Sequence, residues 1–141
     1  MKKIIITLLI LILLLAVLLV IRNLTQTEFN GLSIKYLGKE FQVKNKQLRN
    51  MERQVIWADD KKYDTLPLQE VLQQFPIKLE NIQAVTLISK DGGALNLKNE
   101  ELSDAYLALK KQKNELQLRL ILPKDEFKQR WLKRVVEIQV R

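Results

Sequence analysis

The chain contains neither cysteine nor histidine, and it has only four glycines and three prolines among 141 residues. Without a thiol or an imidazole it cannot build Ser-His or Cys-His nucleophilic sites, the usual zinc sites, thiol redox centres, or the usual haem and iron–sulfur ligation. It also lacks the phosphate-binding patterns G-x-x-x-x-G-K-[ST] and G-x-G-x-x-G. Disulfides are excluded too, so any folded domain must be stabilised by its own hydrophobic core.

Charge is missing from one long stretch, residues 4–21, which reads IIITLLILILLLAVLLVI with Thr7 as its only polar residue. A helix of this length, rising about 1.5 Å per residue, spans roughly 27 Å, close to the ~30 Å hydrocarbon layer of a membrane. A cleaved signal peptide is the alternative, but its apolar core is usually about 7–15 residues long and precedes an A-x-A-like site. Because the run is longer and RNLTQTEF follows it, we expect a retained single-pass anchor.

The sequence therefore divides into a membrane anchor, residues 1–22, a polar linker, residues 23–30, and one globular domain, residues 31–141. Lys2 and Lys3 favour a cytoplasmic amino terminus, which places the domain outside the cytoplasm, and Arg22 acts weakly against this orientation. Removing Lys2 and Lys3 from the formal net charge of +8 leaves +6 for Arg22–Arg141. A basic domain on a tether can bind anionic lipid or wall polymer, although scattered charge also serves solubility alone.

Alternating apolar residues and turn signals predict a domain that is α+β and mainly β. We expect a hairpin over residues 32–43 with its turn at Gly38, a helical turn over residues 45–53, and a strand over residues 53–58. A second hairpin is expected around Asp91-Gly92-Gly93, with strands over residues 115–122 and 135–140, while residues 105–111 fit either a helix end or a strand.

Two helix starts are predicted from capping patterns. Thr65 is expected to cap a helix with Pro67 in its first turn, with an apolar stripe of Leu68, Val71, Leu72 and Phe75 and a stop at Pro76. Asn99 is expected to cap a short helix whose first turn holds Glu100 and Glu101.

The connection between the last two predicted strands, PKDEFKQRWLKR, residues 123–134, is the most basic segment. It holds five cations around two aromatic residues: Lys124, Lys128, Arg130, Lys133 and Arg134 with Phe127 and Trp131. An anion-binding loop is one interpretation, and a solvated loop on a basic protein is the other. Stacking of Trp57 or Trp131 on a planar ligand competes with a role in the core, and the anchor argues against a nucleic-acid partner.

The acidic residues make poor catalytic candidates. Asp59 and Asp60 are adjacent, so their side chains point apart and do not form a carboxylate pair. We expect them to be solvated beside Lys61 and Lys62, and Asp91 to be a turn residue.

The order of segments resembles the molybdopterin-binding domain of sulfite-oxidase-type oxidoreductases. The pieces that carry the resemblance run from Y-D-T-L-P-L-Q-E-V-L through S-K-D-G-G-A-L-N-L to L-R-L-I-L-P and R-W-L-K-R-V-V-E-I-Q-V, and the match covers roughly residues 32–140. The resemblance implies that the last loop binds an anionic cofactor, with Arg130 and Lys133 on cationic positions of R-W-L-K and Lys128 beside them.

Departures from the family pattern point away from its reaction. The family binds its metal through a cysteine thiolate, which this chain lacks, and its glycine after the proline is Lys124 here. We therefore expect no cofactor, with molybdopterin as the possibility that the resemblance raises, and no catalytic or metal-binding residues. The expected function is that of a non-catalytic binding or accessory module. The alternatives are an oxidoreductase with an atypical metal site and a basic domain that binds an anionic polymer or lipid.

Overall fold

The computed structural model describes the backbone of residues 1–25, 31–112 and 115–141. Helix α1 spans Lys2–Thr25, and its segment Lys2–Arg22 is long and apolar enough to cross a membrane, with none of the segment buried. The apolar helix is thus present where the sequence predicts it, and it continues through three residues of the predicted linker. The rest of that linker, residues 26–30, lies outside the described residues.

Nine strands and two short helices make up the described part of the domain. In chain order they are β1 Gly31–Tyr36, β2 Lys39–Lys44, α2 Asn45–Asn50, β3 Gln54–Ala58, β4 Lys61–Pro67, α3 Leu68–Gln73, β5 Ala84–Ser89, β6 Ala94–Lys98, β7 Tyr106–Gln112, β8 Glu115–Ile121 and β9 Val135–Val140. Three 3₁₀ turns lie at Leu79–Asn81, Asn99–Asp104 and Lys128–Arg130. The predicted α+β, mainly β class is confirmed.

The strands form two sheets. The first has the order β2-β1-β9-β5-β6 and is antiparallel except where β1 runs parallel to β9. The second, β3-β4-β7-β8, is antiparallel throughout. Alternate residues of both sheets enter one hydrophobic core, to which Ile34, Leu87 and Ile138 contribute from the first sheet and Leu107 and Leu120 from the second.

The predicted hairpins are confirmed because their turn residues adopt the required backbone. Leu37 and Gly38 have φ of 49° and 74°, which closes β1 onto β2 in a two-residue turn. Gly92 has φ of 90° in the connection between β5 and β6. The ambiguous segment at residues 105–111 falls mostly in strand β7.

Both capping predictions are wrong. Thr65 lies in strand β4, where its hydroxyl donates a 2.8 Å hydrogen bond to the carbonyl oxygen of Gln54, and helix α3 begins only after Pro67. The Asn99 side chain donates to the carbonyls of Leu79 and Ile82 instead of capping its own turn. In both cases the side chain that was expected to cap a helix hydrogen-bonds instead to backbone carbonyl oxygens more than ten residues away along the chain.

Candidate functional site

The basic loop, residues 122–134, connects β8 to β9 and is fixed to the domain by Trp131. The indole Nε1 donates a 3.1 Å hydrogen bond to the carbonyl oxygen of Leu122, and the ring packs edge-on against Tyr63 with centroids 5.9 Å apart. Only 6% of Trp131 is exposed. Of the two interpretations of this residue, the core role is the one observed, and the ring orders a loop that is otherwise polar.

Arg130 joins this loop to a different part of the chain. Its Nε and Nη2 donate to the two carboxylate oxygens of Asp125 at 2.9 and 2.8 Å, and its Nη1 donates to Glu101 at 2.8 Å. The backbone N–H of Lys98, and then Arg130, lower the pKa of Glu101. The hydrogen bonds to Asp125, and then to Glu101, raise the pKa of Arg130. The guanidinium is therefore charged and already surrounded by acceptors at neutral pH.

Three further cations of the loop also lie against carboxylates. The pairs are Lys124 with Asp104 at 2.7 Å, Lys128 with Asp59, and Arg134 with Asp91 at 3.2 Å. Lys128 in addition lies 5.3 Å above the ring of Trp131, and its hydrogen bond lowers the pKa of Asp59. These contacts make the loop close to electrically neutral, because four of its five cations are balanced within the protein.

The three predicted ligand-binding cations have different surroundings. Arg130 and Lys128 share one 3₁₀ turn but contact different carboxylates, whereas Lys133 is exposed and has no ion pair among the described residues. An anionic ligand would have to compete with Asp125 and Glu101 for Arg130. Binding of such a ligand by Arg130, Lys133 and Lys128 stays a prediction.

Replacing Arg130 by glutamine should lower the free energy of unfolding by about 1–2 kcal/mol at pH 7, since charge-assisted hydrogen bonds to two carboxylates are lost from a side chain that is partly exposed. Lys133→Gln in the same loop is the matched control and should change stability by less than about 0.5 kcal/mol. Urea denaturation of the full chain in detergent measures both. Equal effects of the two variants would contradict a structural role for Arg130.

The contribution of the Arg130–Glu101 ion pair to stability should also depend on pH. The pKa of Glu101 is lowered in the folded state, so its contribution is complete above its unfolded pKa and is lost as the pH falls through the lowered value. The stability difference between Arg130→Gln and the unsubstituted chain should therefore shrink below about pH 4.

A cleft of about 330 Å³ opens at the Arg134 end of the loop, with a volume near the lower limit for small-molecule sites. Lys90 and Arg134 supply positive charge, Glu115 supplies negative charge, and Leu116 and Leu118 contribute apolar walls. The backbone N–H of Lys90 donates to the carbonyl oxygen of Arg134 at 2.9 Å, and Arg134 has φ of 51°. The sequence does not indicate this cleft, because its lining comes from segments far apart along the chain.

The residues present do not fit a metal centre held by a cysteine thiolate, the kind that the expected resemblance implies. The sequence contains no cysteine, so no thiolate is available to bind a metal. Among the described residues, no group of three His, Cys, Asp or Glu side chains is placed to hold a metal ion. Comparison with known proteins gives no family for the chain: no protein-family model matches it, and no curated protein sequence matches it.

Proposed function

We propose that the chain is a single-pass membrane protein whose domain, residues 31–141, lies outside the cytoplasm and acts as a non-catalytic binding or accessory module. The observation that carries the proposal is helix α1, whose segment Lys2–Arg22 presents an apolar surface on every side with none of it buried. An apolar surface of this extent is stable in a lipid bilayer and unfavourable in water.

We further propose, from the sequence resemblance, that the domain has a molybdopterin-binding-like architecture. The segments that carry the resemblance fall on β4 and α3, on the β5–β6 hairpin, and on β8, the basic loop and β9, in that order. The hairpin and the last two strands have the types that the resemblance implies, whereas the first half of Y-D-T-L-P-L-Q-E-V-L lies in strand β4 and not in a helix. The likeness concerns architecture, which by itself does not determine activity.

The two carboxylates of the loop contacts whose pKa is lowered suit a structural role. A general acid or base works best with a pKa near the operating pH. Asp59 and Glu101 have pKa values lowered by Lys128 and by Lys98 with Arg130, respectively. These carboxylates are thus ionised and paired at neutral pH, which suits them to hold the loop in place and not to transfer protons.

The cofactor content of the intact protein tests this proposal. The full chain should be produced in cells that make molybdopterin, extracted from their membranes, and assayed for molybdenum by mass spectrometry and for pterin by fluorescence after oxidation. We expect far less than one metal and one pterin per chain. A sulfite-oxidase-type enzyme from the same cells is the positive control.

Stoichiometric metal and pterin in the purified chain would overturn the proposal. In that case the double variant Arg130→Gln, Lys133→Gln would show whether the basic loop binds the cofactor, because loss of pterin with retained folding would assign the site to these residues.

A further inference from the structure

Strand β3 differs from the other sheet edges of the described domain. The terminal strands of the two sheets are β2, β6, β3 and β8. β2, β6 and β8 each contain lysine, arginine or glutamate, whereas β3 reads QVIWA and contains no charged residue. Charged side chains are a common means of preventing sheet edges from pairing with other chains. β3 lacks this protection.

The apolar side chains of β3 are also exposed. Val55 is 62% and Trp57 is 65% exposed, and both lie on the same face of the strand. Lys62 of the neighbouring strand lies 4.9 Å from the centroid of the Trp57 ring. Ile56, on the opposite face, is half-buried against the core. One face of β3 therefore packs against the core, and its other face exposes apolar side chains to solvent.

The hairpin geometry fixes which backbone groups point away from the sheet. Asp59 and Asp60 have φ of 50° and 59°, which makes them a two-residue turn between the paired residues Ala58 and Lys61. Residues that flank such a turn form a hydrogen-bonded pair, and the pairs alternate along the ladder. The N–H and C=O groups of Val55 and Trp57 consequently point to the open edge.

We propose that β3 pairs antiparallel with β3 of a second copy of this chain, about a two-fold axis at Ile56. This register places Val55 opposite the second copy's Trp57, and Trp57 opposite the second copy's Val55. All the outward N–H and C=O groups of these residues then form hydrogen bonds, and the two four-stranded sheets become one. The neighbouring registers place Trp57 opposite Arg53, or Val55 opposite the turn residue Asp59, and both of these residues lie outside β3.

Side chains in this register are complementary as well. The exposed Val55 and Trp57 of each copy form one apolar cluster on the outer face, which removes them from water. Arg53, which pairs with Asp64 of its own copy at 2.7 Å, lies opposite the second copy's Asp59, which contacts Lys128 of that copy. Opposite charges, not like charges, therefore meet at each end of the paired strands. A self-complementary patch of this kind is what a two-fold symmetric contact requires.

Cross-linking in membranes tests the register, since the natural chain has no cysteine. In the proposed register Ile56 lies opposite the second copy's Ile56, with their Cα atoms about 4.5 Å apart, a spacing that permits a disulfide. Ile56→Cys should therefore yield a disulfide-linked dimer under mild oxidation. Gln54→Cys is the matched control on the same strand; it lies opposite the second copy's Ala58 and should cross-link several-fold less.

A second measurement does not depend on a cysteine at a half-buried position. Val55→Lys adds charge to the exposed edge and should raise the dissociation constant of the dimer at least about tenfold, measured by sedimentation of the full chain in detergent. Leu37→Lys replaces an even more exposed aliphatic residue, 79% exposed in the β1–β2 turn, and should leave the constant unchanged.

Three results would overturn the proposal: a chain that stays monomeric at all concentrations, a dimer that Val55→Lys does not weaken, or equal cross-linking at residues 54 and 56. The last two would assign association to another surface, such as α1. Cross-linking can be read in whichever cell fraction contains the chain, so failure of membrane anchorage is distinguishable from failure of the edge contact.

Discussion

Replacing Trp131 by alanine should lower the free energy of unfolding of the domain by about 3–5 kcal/mol, the range for deleting a large aromatic side chain from a core. The indole is almost fully buried, contacts Tyr63, and donates a hydrogen bond to the carbonyl oxygen of Leu122. Its loss would leave a cavity and would remove one of the two hydrogen bonds that the Leu122 carbonyl oxygen accepts, the other coming from the backbone N–H of Asp125. Because domains are stable by only about 5–15 kcal/mol, this single change would remove a large share of the total.

Hydrogen exchange of the full chain in detergent measures this effect directly, since the slowest amides of a domain report its global unfolding. Amides of β8 and β9 should exchange at least a hundredfold faster in Trp131→Ala, the change that about 3 kcal/mol produces. Phe127→Ala is the control in the same loop. Because Phe127 is 65% exposed, the amides of β8 and β9 should exchange at nearly the same rate in this variant as in the unsubstituted chain. Similar acceleration in both variants would mean that Trp131 does not fix the loop.

The β1–β2 and β5–β6 hairpins could be predicted from the sequence because their determinants are local. Apolar residues identify β1, β2 and β5, and a glycine marks both turns. The β3–β4 turn has no such mark, because Asp59 and Asp60 adopt its positive φ. Strand β4 could not be predicted in the same way. Its residues KKYDTLP are mostly polar, and it forms a strand because it pairs with β3 on one side and β7 on the other.

The same distinction explains what the sequence predicted about the basic loop. Its cations are visible in one short segment, so the sequence alone is compatible with an anion-binding site. Only Asp125 among their carboxylate partners belongs to the loop: Glu101 is 29 residues from Arg130, and Asp91 is 43 residues from Arg134. Charge density in a segment therefore does not give the charge of the site, because the fold brings compensating residues from elsewhere.

The exposure of Trp57 is a further difference between expectation and structure. A tryptophan in a small domain usually lies in the core, and Trp131 does. Trp57 alternates with the half-buried Ile56 along an edge strand, so its side chain is directed outward. The sequence QVIWA alone cannot show which of two alternating faces is buried.

Three arginines in helix α1 should release the chain from membranes. The apolar run holds sixteen Ile, Leu and Val residues, which together favour insertion by roughly 5–10 kcal/mol, whereas one central arginine costs about 2.5–3.5 kcal/mol. Leu13→Arg alone should therefore stay inserted. Arginines in place of Leu8, Leu13 and Leu18 point in different directions around the helix. Together they nearly cancel the favourable free energy of insertion. Most of the triple-arginine variant should therefore appear in the supernatant after carbonate extraction.

One exposed label then determines the side of the membrane. Lys133→Cys supplies the only thiol of the chain, and a membrane-impermeant maleimide should label it in intact cells if the domain lies outside the cytoplasm. Labelling only after permeabilisation would place the domain in the cytoplasm and contradict the orientation inferred from Lys2 and Lys3.

A mature chain shortened by its apolar segment would instead identify residues 1–22 as a cleaved signal peptide. Retention of the triple-arginine variant in the membrane would show that something other than α1 holds the protein there.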